Sequence, residues 1–548
     1  MKPTRYTPEM IDERIERGIW QTTTLSDFWD RNAKNYPHKE AIVDSKTRLT
    51  WAQAKQWIDR IALGFLELGI KKDESIVIQV PNSVEFHLLR IACEKAGILC
   101  LPVLRSFRYK EMEYVLSYVE AVGVVIPWQF KDFDHFQMIE GMRPNLPLLR
   151  HMFVIGDKVP LGAISLKEMS NRPIEEKYPP NYLERTKCKA TEVSLILPTT
   201  GTTGFPKFVE FAMCLRLYHG KKMVENMKVT GDDVLGSLGP GSGLNVLNIF
   251  GAPQVGAKVC ILEESFEPEK ALNLFERERV TYATLAPAML AMIVRHPNFK
   301  YYDLSSLRLI TCGGGLLPYP LAEEAEEKMG CPITQVYASV DVGASTMTTP
   351  DDPFDVRVRT VGRGYGGNEV KLVGDDGREV PKGESGEIWL SGPATVSGYY
   401  KNPEATWQAW TEDGWFKMGD LGKLDDQGNL IIVGRKKDII IRGGQNIYPG
   451  EIENILISHP KVSTVAIVPM PDPVMVEKAC AYIVPKSGQT FTFNEMVSYL
   501  KKEGIASYKV PERLELLDKL PMLAEGQKVD KKSLQQDIVQ KLKAEGKV

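Results

Sequence analysis

From about Leu49 the chain alternates stretches of helical periodicity with short apolar runs, and this alternation limits the fold more than any other feature. Residues 52–68 carry a helix-like pattern and are followed by the extended runs SIVIQV (75–80) and GVVIP (123–127). The rhythm resumes through AKVCIL (257–262), helical EPEKALNLFERERV (267–280), YATLAP (282–287) and LRLITCGGG (307–315). Helical and extended patterns in such alternation predict α/β layers, sheets covered by helices. After Val361 the texture changes to short strands such as EIWLSG (387–392) separated by the turn signals DDG, EDG and DDQG, which predicts a β-rich lobe. A second shift follows Gly434, where the basic stretch GRKKDIIIRGGQNIYPGEIE leads into a compact α+β tail ending in a lysine-rich helix. A domain boundary is expected near 435–437, dividing the chain into 1–435 and 436–548. At 548 residues the chain is in any case too long for one core.

Composition excludes more than it identifies. Lys plus Arg is 68 against Asp plus Glu 71, a net charge of −3, so no polyanion-binding surface and no nucleic-acid partner is expected. The 8 cysteines are scattered, with no CxxC pair and none beside a histidine at metal-ligand spacing, and read as reduced, buried thiols. The N-terminus is charged, and no stretch approaches the ~18 apolar residues of a membrane span. A cytoplasmic enzyme is the expectation.

The most informative segment is LILPTTGTTGFPKFVEF (195–211). An apolar strand runs into Thr199, Thr200, Gly201, Thr202, Thr203 and Gly204, followed by Phe205, Pro206 and Lys207. Hydroxyls, glycines that let the backbone approach closely, and a lysine are what a loop gripping a polyphosphate needs. The GxxxxGK[ST] spacing of a Walker A loop is absent. A polar turn between two strands is the plain alternative.

This segment resembles the phosphate-binding signature of the acyl-adenylate-forming (AMP-binding) superfamily, which includes acyl- and aryl-CoA ligases and dihydroxybenzoate-AMP ligases. Thr200 stands where the family usually has serine, keeping the hydroxyl. GGGLLP (313–318) resembles the family's adenine-side loop, and QVYASVD (335–341) takes the place of its Tyr-Gly-x-Thr-Glu motif. Taken alone, YASVD reads as a helix-edge fragment. The resemblance implies AMP-binding roles for Gly313, Gly314, Gly315, Gln335, Val336, Tyr337 and Ala338, with Tyr337 stacked on adenine and Asp341 holding Mg²⁺. Val340 replaces a phosphate-contacting threonine, and Asp341 is one methylene shorter than the usual glutamate. WFKMGD (415–420) implies that Asp420 binds the ribose hydroxyls, with Arg435 as a second ribose contact and Lys437 as a hinge. Alone, 435–437 would read as a solvated basic turn. Similarity extends to the N-terminal LTWAQAKQWIDRIALGFLELG, and so along nearly the whole chain.

The fold implied is α/β: a large N-terminal domain of two α/β sheet lobes plus a β-rich lobe, followed by a small, mobile α+β C-terminal domain. The family's catalytic lysine maps to Lys528, with Leu523 where its loop usually has threonine, and Lys531 and Lys532 then read as solvated helix-start residues. A carboxylate must approach a negative α-phosphate, so positive charge has to be held between them. Rotation of the C-terminal domain would then replace the lysine with a pantetheine tunnel lined by Gly443 and Gly444, with Arg442 and Lys436 supplying charge for coenzyme A. The acyl pocket maps to 237–248, where Pro240 and Gly241 replace the family's polar residues and Tyr218 and Gly243 are neighbours. Those replacements argue against dihydroxybenzoate and for an aromatic, alicyclic or medium-chain acid. The substrates and cofactors implied are that acid, ATP, Mg²⁺ and coenzyme A. A carrier-protein thiol is the alternative acceptor, a non-catalytic nucleotide-binding protein is the other alternative, and monomer and homodimer both stay open.

Overall fold

The computed structural model describes residues 1–199, 206–239, 245–263, 266–315, 317–340, 342–442, 445–523 and 528–547, the side chains at 343–345, 446, 523 and 528 excepted. Two large sheets form its body. The first, of 9 strands, runs in the order Arg363–Gly364, Gly343–Met347, Ile333–Ser339, Leu309–Gly313, Tyr282–Leu285, Val234–Ser237, Lys258–Ile261, Glu40–Val43 and Arg48–Thr50. From Ile333–Ser339 to Glu40–Val43 it is parallel, and its edges are antiparallel. The second, of 8 strands, runs Gly398–Tyr399, Phe208–Ala212, Val193–Pro198, Leu99–Pro102, Ser75–Ile78, Gly123–Pro127, His151–Ile155 and Ile164–Ser165.

The apolar runs read from the sequence thus become strands, and the helical patterns become Trp51–Glu67 and Pro268–Glu278. Trp51–Glu67 starts at a capping box, in which the Thr50 side chain takes the Gln53 amide and the Gln53 side chain returns to Thr50. Helix Val84–Ala96 is buried on almost every side and ends on Gly97 at φ 78°. One apolar cluster draws on both sheets and on the helices Val84–Ala96 and Met213–Asn226. A helix buried all round is a filler between layers rather than a surface element.

The β-rich lobe is a four-stranded antiparallel sheet, Glu369–Val373, Gly386–Ser391, Phe416–Leu424 and Leu430–Arg435. The C-terminal sheet has Gln445–Ile447, Ile440–Arg442, Val476–Pro485 and Val462–Asp472 in order, with Arg513–Leu516 parallel to Val476–Pro485. Its helices Pro449–Leu456, Phe493–Lys502 and Lys531–Ala544 bury two apolar clusters that take no residue before Ile440. The protein is therefore mixed α/β, with a large N-terminal domain and a small C-terminal one that has its own core.

Two readings change. Tyr337 to Ser339 lie in the strand Ile333–Ser339 and not at a helix edge, because their backbone pairs with Gly343–Met347. Lys531 does start a helix, but its ammonium is 2.6 Å from Glu453 and only partly solvated. All 8 cysteines are free and buried. Among the described residues no helix is long and apolar enough to cross a membrane.

The first sheet and the β-rich lobe are joined at Gly362, whose carbonyl accepts from Leu430 N at 2.8 Å. Gly362 has φ +71°, and a Cβ there would stand 2.0 Å from the Met347 carbonyl oxygen. The atoms it would meet are the Met347–Thr348 backbone, which cannot swing aside as a side chain would, so Gly362→Ala is expected to destabilise the protein by about 3 kcal/mol or more. A urea unfolding midpoint equal to wild type would contradict this.

Candidate active site

The carboxyl ends of parallel strands are where an open α/β sheet presents ligands with free backbone. Here the strands Leu309–Gly313 and Ile333–Ser339 end side by side, with Gly313 opposite Val336. Beyond Gly313 the chain passes through Gly314 at φ +81°, where an added Cβ would meet no atom within 4 Å. Gly315 follows, 3.7 Å from the Pro287 ring by the same construction. This glycine turn is open on one side, as a flat ligand alongside it requires.

Tyr337 stands at the same edge and donates its hydroxyl to Asp420 Oδ2 at 2.6 Å. Asp420, on Phe416–Leu424, lies directly across the antiparallel pair from Arg435, whose Nε is 3.0 Å from Oδ1. The carboxylate is buried, while the arginine is half-exposed. Burial, then the adjacent Asp420 charge, push the Tyr337 hydroxyl well above its usual range, which keeps it protonated and donating. Oδ2 accepts the Tyr337 hydroxyl and Oδ1 is ion-paired with Arg435, and each oxygen has lone-pair capacity beyond that contact, which fits a vicinal diol.

Gln335, two residues before Tyr337, serves the frame. Its buried amide nitrogen lies 3.1, 2.8 and 2.9 Å from the carbonyls of Arg357, Val358 and Thr360, pinning the chain that leads to the β-rich lobe. Its backbone is engaged too, N donating to Thr348 Oγ1 at 2.8 Å and the carbonyl accepting from Thr348 N at 2.9 Å. Val336 is buried beside it, and Ala338 is exposed at a register shift in the strand pair.

The threonine-rich loop is closed at its base. Strands Val193–Pro198 and Phe208–Ala212 pair antiparallel, Thr199 N donates to the Lys207 carbonyl at 2.8 Å, and Lys207 N donates to Thr199 Oγ1 at 3.1 Å. Lys207 is exposed, with its ammonium 4.7 Å from the centre of the Tyr399 ring. Thr200, Gly201, Thr202, Thr203 and Gly204 lie outside the described residues, as do Pro240, Gly241, Gly243, Asp341, Gly443 and Gly444. Lys528 pairs by its backbone with Leu523 in a short hairpin, and its side chain is likewise outside the description. Among the described residues no group of three or more His, Cys, Asp or Glu is placed to hold a metal ion.

Around the acyl segment, Tyr218 on helix Met213–Asn226 donates to the Gly366 carbonyl. The segment's ends are tied by residues that motif reading missed: Ser237 donates to Asn245 Oδ1 at 3.1 Å, and Asn245 to the Gly239 carbonyl at 3.0 Å. Asparagines at 245 and 248, one helical turn apart, were the available signal.

After Arg435 the chain makes a single 3₁₀ turn, Lys436–Asp438, before the C-terminal sheet begins at Ile440. Burial lowers the Lys437 pKa. Lys436 lies 3.1 Å from Glu387 and 3.2 Å from Asp375, and Arg442 lies 2.7 Å from Glu512. The basic residues expected to receive coenzyme A are thus each paired with carboxylates.

Comparison with known proteins identifies the family. The AMP-binding enzyme family model matches residues 29–400, and that of the AMP-binding enzyme C-terminal domain matches 451–527. The 2,3-dihydroxybenzoate-AMP ligase of Bacillus subtilis is 30% identical over 99% of this chain and 98% of its own length. The medium-chain fatty-acid–CoA ligase of Escherichia coli is 30% identical over 96% of this chain and 92% of its own. The crystal structure of the anthranilate CoA ligase AuaEII with anthranoyl-AMP superposes with a TM-score of 0.84 at 23% identity, covering 95% of this chain and 98% of that one. The chain belongs to the AMP-binding enzyme family, whose members here are adenylate-forming ligases of acyl and aryl acids.

Asp420→Asn keeps the shape and removes the charge. It is expected to raise the KM for ATP roughly 10- to 100-fold, the worth of hydrogen bonds to a charged acceptor. An unchanged KM in a variant of wild-type stability would remove Asp420 from the nucleotide site.

Proposed function

We propose that the chain activates an aromatic, alicyclic or medium-chain carboxylic acid with ATP, giving acyl-AMP and pyrophosphate. It then passes the acyl group to the thiol of coenzyme A, releasing AMP, as a cytoplasmic ligase. The observation that carries this reading is the buried Asp420, held by Tyr337 and Arg435 beside the open glycine turn at 313–315. A carboxylate with both oxygens part-satisfied suits the two ribose hydroxyls, and the Tyr337 ring beside the turn suits adenine.

The threonine-rich loop from Thr199 to Lys207 then holds the phosphates, whose leaving pyrophosphate takes the charge away. Mg²⁺, held by Asp341 together with phosphate oxygens and water, would neutralise the charge between nucleophile and phosphate. Lys528 orients the acid's carboxylate toward the α-phosphorus. That lysine obstructs the thiol, so the domain 436–548 turns about Lys437 and brings Gly443 and Gly444 to line the thiol's path.

A second reading, transfer to a carrier-protein thiol, is favoured by one feature. Arg442 and Lys436 already have carboxylate partners, Glu512 for the first and Glu387 and Asp375 for the second, which leaves less positive charge for a nucleotide tail. Acid-dependent pyrophosphate release with and without coenzyme A separates the two. Turnover that needs coenzyme A and yields acyl-CoA supports the first, and a single burst that coenzyme A cannot relieve supports the second.

Lys528→Ala should reduce adenylation roughly 100-fold, the scale of losing one transition-state charge contact. Lys437→Pro should slow thioester formation at least about 10-fold more than adenylation, because it restricts the hinge and spares the first half-reaction. Equal losses in the two half-reactions, assayed separately, would exclude a hinge at Lys437.

A further inference from the structure

Two arginines sit in the core with no ion-pair partner among the described residues. Arg90 lies on helix Val84–Ala96 and Arg216 on helix Met213–Asn226, each 3% exposed. All three nitrogens of Arg90, and Nε of Arg216, are buried without a hydrogen-bond partner. Among the described residues no carboxylate pairs with either guanidinium. Glu94, one turn along from Arg90, accepts the Ser26 amide at 2.7 Å through Oε1, while its Oε2 is buried without a partner, and burial raises its carboxyl to about 7. Aromatic rings are the company: Arg90 is 4.4 Å from the centre of Phe86, and Arg216 is 3.7 Å from Phe211 and 5.9 Å from Phe250.

The two helices both pack on the strand Val193–Pro198 and contribute to one apolar cluster, and that seam holds both cations. Burial, then the Arg90 charge, bring the Arg216 guanidinium down to about 9, and burial brings Arg90 down to about 10. Both stay charged at neutral pH, so the seam holds two uncompensated positive charges, which is among the most destabilising arrangements a core can contain. Each helix also sets a histidine three residues from its arginine, His87 and His219, and burial keeps both rings neutral. His87 is 3.3 Å from Asn82, which donates to the Ser237 carbonyl at 3.1 Å. Ser237 opens the segment proposed for the acyl pocket, and Phe250, beside Arg216, follows its other end. The buried side-chain oxygen of Asn248, also in that segment, has no partner either.

We propose that Arg90 and Arg216 form an anion site at the base of the acyl pocket that receives a second carboxylate on the acid being activated. The substrate is then a dicarboxylic acid on an aromatic, alicyclic or short aliphatic skeleton. This rests on the ligase reading above. A carboxylate supplies the lone pairs that the orphaned guanidinium N–H groups lack, and planar arginine forks suit it better than lysine would. A small inorganic anion shares that chemistry, so the test separates the two sources.

Pyrophosphate release is measured for matched pairs: benzoate and terephthalate, cyclohexanecarboxylate and cyclohexane-1,4-dicarboxylate, hexanoate and adipate. Wild type should favour one diacid over its monoacid partner by roughly 100-fold in kcat/KM, and R90M and R216M should abolish or reverse that ratio with the KM for ATP unchanged. Without ligand, both variants should unfold at a higher temperature than wild type, since an apolar isostere relieves an unpaired buried charge. Only wild type should gain further thermal stability from the diacid. A monoacid preference shared by wild type and variants overturns the proposal. So does a lower unfolding temperature in both variants, or stabilisation of wild type by sodium phosphate or chloride but by no diacid. Failure of every acid to release pyrophosphate sinks the ligase reading instead, and a diacid-dependent thermal shift confined to wild type still identifies the anion site.

Discussion

A buried carboxylate must be satisfied from several directions at once, and Asp420 is satisfied from two different sheets. Tyr337 reaches it from the edge of the large parallel sheet, and Arg435 from the neighbouring antiparallel strand. The alignment of these two sheets and the neutralisation of this charge are therefore one constraint. Gln335 reinforces it by fixing the connecting backbone at 357–360, and Gly362 by letting that backbone cross next to Met347. Arg435 is also the last residue of its strand, immediately before the turn into the C-terminal sheet. A rotation of the C-terminal domain at that turn would be felt first by the arginine that completes the Asp420 site.

Much of this was legible, for reasons that can be named. The apolar runs became strands where they were bounded by glycine, proline or helical pattern, because burial and period together leave few alternatives. The DDQG signal was a turn: Asp425 accepts from Gln427 and Asn429 at 2.9 and 2.8 Å, and Gly428 takes φ +82°. That turn sets the register of the strand pair from Leu424↔Leu430 to Gly422↔Ile432, and a one-residue shift between Gly422 and Leu421 then moves Asp420 from Gly434 to Arg435, a step that no local signal announces.

What was not legible was non-local. YASVD is short and mixed in polarity, and its strand character comes from pairing with Gly343–Met347 rather than from its own pattern. Arg442 and Lys436 read as available charge because a sequence does not show that Glu512, Glu387 and Asp375 fold against them. Resemblance supplied expected roles for Tyr337, Asp420 and Arg435. The commitment of the Gln335 amide to three carbonyls could come only from coordinates.

The arginine seam belongs to the same class of hidden feature with the opposite sign. Helix Val84–Ala96 carries His87, Arg90, Glu94 and Lys95, and a helical wheel would give those residues a solvent face. The fold gives them none, so each polar group needs its own partner. Lys95 finds Asp30 and Asp59 at 2.7 and 2.5 Å, and Glu94 finds the Ser26 amide. Arg90 has no such partner, and on helix Met213–Asn226 Arg216 Nε repeats the omission. A core that pairs Lys95 in full, leaves Glu94 Oε2 without a partner and leaves one arginine bare, with a second bare arginine within electrostatic reach, has broken a local rule more than once in one place. Sequences that fold well keep such conflicts for positions where function outweighs stability. If the proposed anion site is that position, its selectivity follows from the same physics, because an unpaired buried cation disfavours an uncharged competitor and favours an anion.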